Sequence, residues 1–157
     1  MAIQIRIYRK DKSVPLPERK TPRSVGLDVY AAEEVHLYPG QPVLVPTGLI
    51  IESPPGYFFK IFIRSGLAIK HGISLINDVG IVDEDYCGPE DEVRIGLIRH
   101  YNPNDPQPNE PFIIEKGMRI AQLIFEKNEF PEIEWVEQDR PDFAGKSRGG
   151  FGSTGMK

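Results

Sequence analysis

Between Asn77 and Gly88 the chain reads Asn-Asp-Val-Gly-Ile-Val-Asp-Glu-Asp-Tyr-Cys-Gly, which sets Asp78, Asp83 and Asp85 in a run that otherwise reads as buried strand. Ile81 and Val82 are β-branched and hold an extended backbone, and an acid directly after them is costly to bury without a task. A carboxylate so placed has the chemistry of a general base. Gly80 and Gly88 are expected to supply backbone angles that other residues resist, so the stretch reads as a hairpin with a sharply turned rim. Asp83 is its candidate base; Asp78 and Asp85 read as structural.

Three further segments carry polar chemistry. Arg64-Ser65-Gly66 follows an apolar run ending at Ile63, where a strand opening into Ser-Gly can form a nest of N–H groups beside a guanidinium fork suited to phosphate. Alone, it reads rather as a turn with a solvated arginine. Arg148-Gly-Gly-Phe-Gly-Ser-Thr-Gly offers a backbone free to wrap an anion, hydroxyls at Ser153 and Thr154, and a flat face for a base at Phe151. It lacks the Gly-Lys-Ser/Thr ending of a P-loop. Lys116-Gly-Met-Arg-Ile-Ala-Gln reads as a turn into a strand, with Arg119 and Gln122 on different faces as a surface arginine and an edge glutamine. Asp28, taken by itself, reads as the cap of a turn.

The elements that position these groups are short. Fifteen Gly and fifteen Pro in 157 residues leave little room for long helices and favour an all-β fold in one domain. Residues 2–8, 24–32, 35–37, 43–45, 49–52, 57–63, 112–114 and 119–126 read as strands, residues 73–82 and 92–101 as the two arms of the central hairpin, and 65–71 as the one short helix or turn. Residues 133–136 are expected to end the packed region. Residues 138–157 carry few large apolar groups and read as an arm that stays mobile until it meets a partner. A net charge of −4 argues against a nucleic-acid face. One cysteine and three scattered histidines exclude an intramolecular disulfide and do not suggest a metal cage. With neither a signal peptide nor a membrane span, the expected location is the cytoplasm.

Taken together, these segments are similar to the five ordered motifs of the trimeric deoxyuridine triphosphatase (dUTPase) family: Gly26-Leu-Asp-Val-Tyr-Ala, Arg64-Ser-Gly-Leu-Ala, Asn77 through Gly88, Gly117-Met-Arg-Ile-Ala-Gln and Gly149-Gly-Phe-Gly-Ser-Thr-Gly. The resemblance implies a distorted jelly-roll-like β-barrel subunit over residues 1–137, a homotrimer with shared active sites, and an arm over 138–157 that closes on a neighbour's site. It implies hydrolysis of dUTP to dUMP and pyrophosphate, which keeps uracil out of DNA and supplies dUMP for dTMP synthesis. By similarity, Asp83 activates the attacking water, Mg²⁺ is the cofactor, and Asp28 meets that Mg²⁺ through water. Asn77 and the backbone of Gly80, Ile81 and Val82 read uracil, and Tyr86 stacks on the deoxyribose. Arg64, Ser65, Gly66 and Gln122 face the phosphates, Arg94 is a further ligand-side residue, and Phe151 covers the base. Gly152, Ser153 and Thr154, with Lys146 or Arg148, meet the γ-phosphate.

The chain departs from the family pattern in four places. Lys146 stands where an Arg is usual, Met118 where an acid is usual and Cys87 where an Arg is usual, and Pro89-Glu90-Asp91 is a short insertion expected to lengthen the hairpin rim. The alternatives are a dCTP deaminase, or a bifunctional deaminase–triphosphatase, of the same superfamily, which usually places a Glu as base and lacks the Phe-Gly-Ser-Thr tail, and a non-enzymatic deoxynucleotide sensor on the same scaffold.

Overall fold

A computed structural model describes residues 3–129 and 133–138. In chain order its elements are β1 (Arg6–Arg9), β2 (Leu27–Tyr30), β3 (Val35–Leu37), β4 (Val43–Pro46), β5 (Leu49–Glu52), β6 (Tyr57–Ile63), α1 (Ser65–His71), β7 (Ile73–Leu75), β8 (Gly80–Val82), β9 (Arg94–Arg99), β10 (Phe112–Ile114) and β11 (Arg119–Lys127). Every strand pairing is antiparallel, in the sheets β2-β11-β6-β8 and β4-β9-β7 and the ribbons β1-β5 and β10-β3. The all-β, jelly-roll-like expectation holds. Inward-facing side chains of both sheets, among them Val29, Val45, Phe59, Leu97, Ile120 and Leu123, form one core.

β6 illustrates how sequence becomes element. Pro54-Pro55-Gly56 turns the chain, with Gly56 at φ 77° and the Tyr57 amide donating to the Pro54 carbonyl at 3.0 Å. Aromatic and β-branched residues then alternate so that Phe59 and Ile61 turn inward, Phe59 packing on Phe125 of β11 with ring centroids 5.2 Å apart. The strand runs into α1, which ends at Gly72 in the left-handed conformation (φ 62°), its amide donating back to the Ala68 carbonyl.

Four expectations fail here. Residues 73–82 do not form one hairpin arm: β7 pairs with β9, whereas β8 leaves that sheet and pairs with β6. The switch is made at a three-residue turn in which the Val79 amide donates to the Asn77 carbonyl at 2.6 Å. Asp78, its central residue, has φ 60° and is the one positive-φ residue other than glycine among those described. Aspartate tolerates this region better than most residues because its short side chain bonds locally. Gly80 and Gly88 are not at positive φ, and their lack of a side chain serves close approach: a Cβ on Gly80 would lie 2.9 Å from the Cβ of Ile61. Finally, residues 133–136 do not end a packed region, since Ile133, Trp135 and Val136 are exposed, Trp135 at 89%. The first strand is also shorter than 2–8 and begins at Arg6.

Candidate active site

Where β8 parts from β7, the two sheets diverge and open a cavity of about 440 Å³. Asn77, Gly80, Ile81, Val82, Asp83, Tyr86 and Arg94 all line it, with Leu44 and Ile61 as apolar wall. β8 is the edge strand of its sheet, so its outer side presents main-chain groups that β6 does not use. Asp83 stands one residue beyond this strand and is exposed in the single chain, so the anticipated burial cost does not arise there. Its segment is tethered instead by the next residue: Glu84 accepts from the Gly56 amide at 2.8 Å. The Pro89-Glu90-Asp91 insertion folds into a compact turn rather than a longer hairpin rim. The Asp91 carboxylate accepts from the Gly88 amide at 2.7 Å, and the Asp91 amide donates to the Gly88 carbonyl at 3.0 Å.

A second group forms around Asp28, which is 3% exposed. Its Oδ1 accepts from Arg64 Nε at 3.1 Å and Gln122 Nε2 at 3.2 Å, and its Oδ2 from an Arg119 guanidinium nitrogen at 3.1 Å. Alternation alone would send Arg119 and Gln122 to opposite faces. They share one because β11 carries a bulge: Arg119 pairs with Tyr30 and Ala121 with Val29, leaving Ile120 as the extra residue. Ile120 and Ala121 are consequently both buried, and Gln122 comes directly opposite Asp28. The reading of Arg119 as a surface arginine and Gln122 as an edge glutamine is therefore corrected. Although position 118 carries no acid, Arg119 has its salt bridge, to Asp28. Gly26 leaves room for the Gln122 side chain, whose Cβ would lie 3.1 Å from a Cβ added there.

Arg64 also lines a cavity of about 530 Å³ with Lys70, Lys116 and Arg119, beside the acid Glu115 and the apolar Leu67, Phe112 and Met118. Ser65 and Gly66 begin α1 and are exposed.

The two groups do not meet within one chain, and the two cavities share no lining residue. Val82 pairs with Phe59, so Asp83 is level with Phe58, six residues along β6 from Arg64. At roughly 3.3 Å per residue that is about 20 Å. The tail residues Lys146, Arg148, Phe151, Gly152, Ser153 and Thr154 lie outside the described residues.

Sequence reading missed Glu84, Glu92 and Lys10. Glu92 is 6% exposed; its carboxylate accepts from the Gly48 amide at 2.8 Å and Lys10 Nζ at 2.9 Å, and pairs with Arg94 at 3.6 Å. Burial works to raise its pKa, but the hydrogen bonds from Lys10 and Gly48 and the nearby positive charges prevail, leaving it below the ordinary carboxylate range. A signal was present: an acid immediately before the apolar alternation Val93, Ile95, Leu97 is where a strand begins to be buried.

Among the described residues no group of three or more His, Cys, Asp or Glu is placed to hold a metal ion. Asp28 already receives three hydrogen bonds, leaving about one of the roughly four acceptor positions of a carboxylate. This suits a hydrogen bond from a metal-bound water better than direct ligation.

A sequence model of the dUTPase family matches residues 12–155. The chain belongs to the dUTPase family. It is 41% identical to the deoxyuridine 5'-triphosphate nucleotidohydrolase of Desulfitobacterium hafniense, the alignment covering 98% of this chain and 96% of that one. It is 39% identical to that of Mycolicibacterium vanbaalenii, over 99% and 97%. Among solved structures, the dUTPase of staphylococcal bacteriophage 80alpha with dUpNHpp superposes at a TM-score of 0.75, with 26% identity over 99% of this chain and 100% of that chain. The dUTPase of phage phi11 of S. aureus, described as coordinating a structural Mg(II) ion, shares the fold at a TM-score of 0.74 and 21% identity, over 87% and 99%. No helix among the described residues is long and apolar enough to cross a membrane.

Proposed function

We propose that this member of the dUTPase family hydrolyses dUTP to dUMP and pyrophosphate in the cytoplasm, as a homotrimer whose subunits share each active site. The observation that carries the reading is the convergence of Asn77, the β8 edge, Asp83 and Tyr86 on one cavity. Uracil pairs its polar edge with Asn77 and the main chain of Gly80 to Val82. Close backbone contact leaves no room for a 5-methyl group, and Tyr86 stacks on the deoxyribose. The Asp83 carboxylate takes a proton from water as the water oxygen attacks the α-phosphorus; the bond from that phosphorus to the bridging oxygen breaks, and the oxygen leaves with pyrophosphate.

The phosphates need cations that this cavity does not supply beyond Arg94. The set around Arg64, Ser65, Gly66 and Gln122 provides them, and its distance from Asp83 within one chain is what makes sharing between subunits necessary. Mg²⁺ bound with the substrate would partly neutralise the charge of the triphosphate, and Asp28 would accept a hydrogen bond from one of the ion's waters. The arm over 138–157 closes the site, Phe151 over the base, and Gly152, Ser153, Thr154 and Lys146 or Arg148 at the γ-phosphate.

The test is pyrophosphate release from dUTP with Mg²⁺, alongside ammonia release from dCTP. Pyrophosphate without ammonia is expected; ammonia would indicate the deaminase, and tight dUTP binding without turnover a sensor. Sharing is tested by mixing chains. Asp83→Asn and Arg64→Ala homotrimers should each be nearly inactive, and refolding them together should restore part of the activity. If the mixture stays as inactive as its parents, each site is built within one chain.

A further inference from the structure

We propose that Glu92 is a positioning residue for sugar selectivity, holding Tyr86 and Arg94 in the orientation that admits a 2'-deoxyribose; this rests on the dUTP reading above. Glu92 lines the same cavity as Asp83 and Tyr86 without presenting a free carboxylate to it. Its two carboxylate oxygens are engaged with the Gly48 amide and Lys10, and Arg94 lies beside them. Its carbonyl accepts the Tyr86 hydroxyl at 3.3 Å. Its amide donates to the Glu90 carbonyl at 2.9 Å, tying it to the insertion.

The next residue is clamped as firmly. The Val93 amide donates to the Leu49 carbonyl at 2.8 Å, and the Val93 carbonyl accepts the Thr47 hydroxyl at 2.5 Å. The β4–β5 turn and the end of β1 thus form a fixed base on which Glu92 stands. Among the described residues, the Tyr86 ring is tied to that base through its hydroxyl and its own chain segment. A tyrosine held at its far end cannot tilt to make room for a 2'-hydroxyl. Releasing the base or the hydroxyl gives the ring that freedom.

A purely structural Glu92 predicts a different result from a positioning one. Glu92→Gln keeps the shape but removes the charge that holds Lys10 and Arg94, and Tyr86→Phe removes only the bond to the Glu92 carbonyl. Each full-length variant is assayed for pyrophosphate release from dUTP and UTP with Mg²⁺. Both should lower the dUTP/UTP ratio of kcat/KM by tenfold or more relative to the parent chain. For Glu92→Gln the loss should lie mainly in a raised KM for dUTP and a lowered KM for UTP, with kcat for dUTP within threefold, and the double variant should add little to either single one. A Glu92→Gln protein that melts earlier but keeps the parent ratio would reduce Glu92 to a structural joint and overturn the proposal. Should Glu92→Gln not fold, an unchanged ratio in Tyr86→Phe overturns it as well. A parent chain that releases no pyrophosphate from dUTP fails the dUTP reading itself, a result separate from an active parent whose selectivity the variants leave unmoved.

Discussion

Asp28 lies in the four-stranded sheet and Asp83 just beyond its edge, yet Asp28 is buried under two guanidiniums and an amide while Asp83 stands exposed past the end of the strand. The first is finished within the chain: its partners come from the end of β6 and from β11, and it orients them as much as they hold it. The second is held at second hand, through Glu84 on the Gly56 turn and through the compact turn after Gly88. An electrostatic platform can be completed by folding, whereas the base proposed at Asp83 would have to meet substrate and water, and its exposure leaves it open to both. The same carboxylate serves either purpose because its surroundings decide whether its acceptor positions are already in use.

The largest effect is expected at the open end. Asp83→Asn should lower kcat by about 10²–10⁴-fold, the usual worth of a positioned general base, while dUTP binding measured calorimetrically persists. Retained turnover with lost binding would move the base elsewhere. At the finished end, Asp28→Ala leaves Arg64 and Arg119 without their carboxylate. Removing one partner of a fully buried pair costs about 3–5 kcal/mol. Both guanidiniums keep solvent access, so a loss of about 2–3 kcal/mol is expected in urea unfolding.

A smaller effect tests the seam between the sheets. Gly80→Ala would press a methyl into Ile61 and should cost about 1–3 kcal/mol, read as a lowered Tm, together with weaker dUTP binding. An unchanged Tm would mean that β8 can move off β6. The smallest concerns acid. The Glu92 carboxyl lies below its ordinary value of 4.5 in the folded chain. Its stabilising contribution is therefore complete above that pH and is lost as the pH falls through the depressed folded value. Urea midpoints taken from pH 7 down to pH 3 should fall more steeply for the parent chain than for Glu92→Gln; parallel profiles would remove Glu92 from the acid response.

Local pattern made some of this legible and long-range pairing hid the rest. The bounds of β6, β5, β10 and α1 follow from alternation, turn residues and a C-terminal glycine, all of which act over a few positions. The split of 73–82 between two sheets does not, because Ile73, Leu75, Ile81 and Val82 suit either sheet equally and only the turn at Asp78 assigns them. At the site, the polar residues around Asn77–Tyr86 stand out as acids among apolar neighbours. The partnership of Asp28 with Arg119 and Gln122 could not be read by counting, because the count is off by one at Ile120.

That extra residue has a consequence for how the chain can vary in length. Deleting Ile120 would restore strict alternation at the start of β11 and leave Arg119 and Gln122 both on the Asp28 side, two positions apart, but it would take a fully buried side chain out of the core. Replacing Ile120 with valine or leucine would change only how the core fills. At this position the chain can vary in which apolar residue it carries, whereas losing the residue empties part of the core.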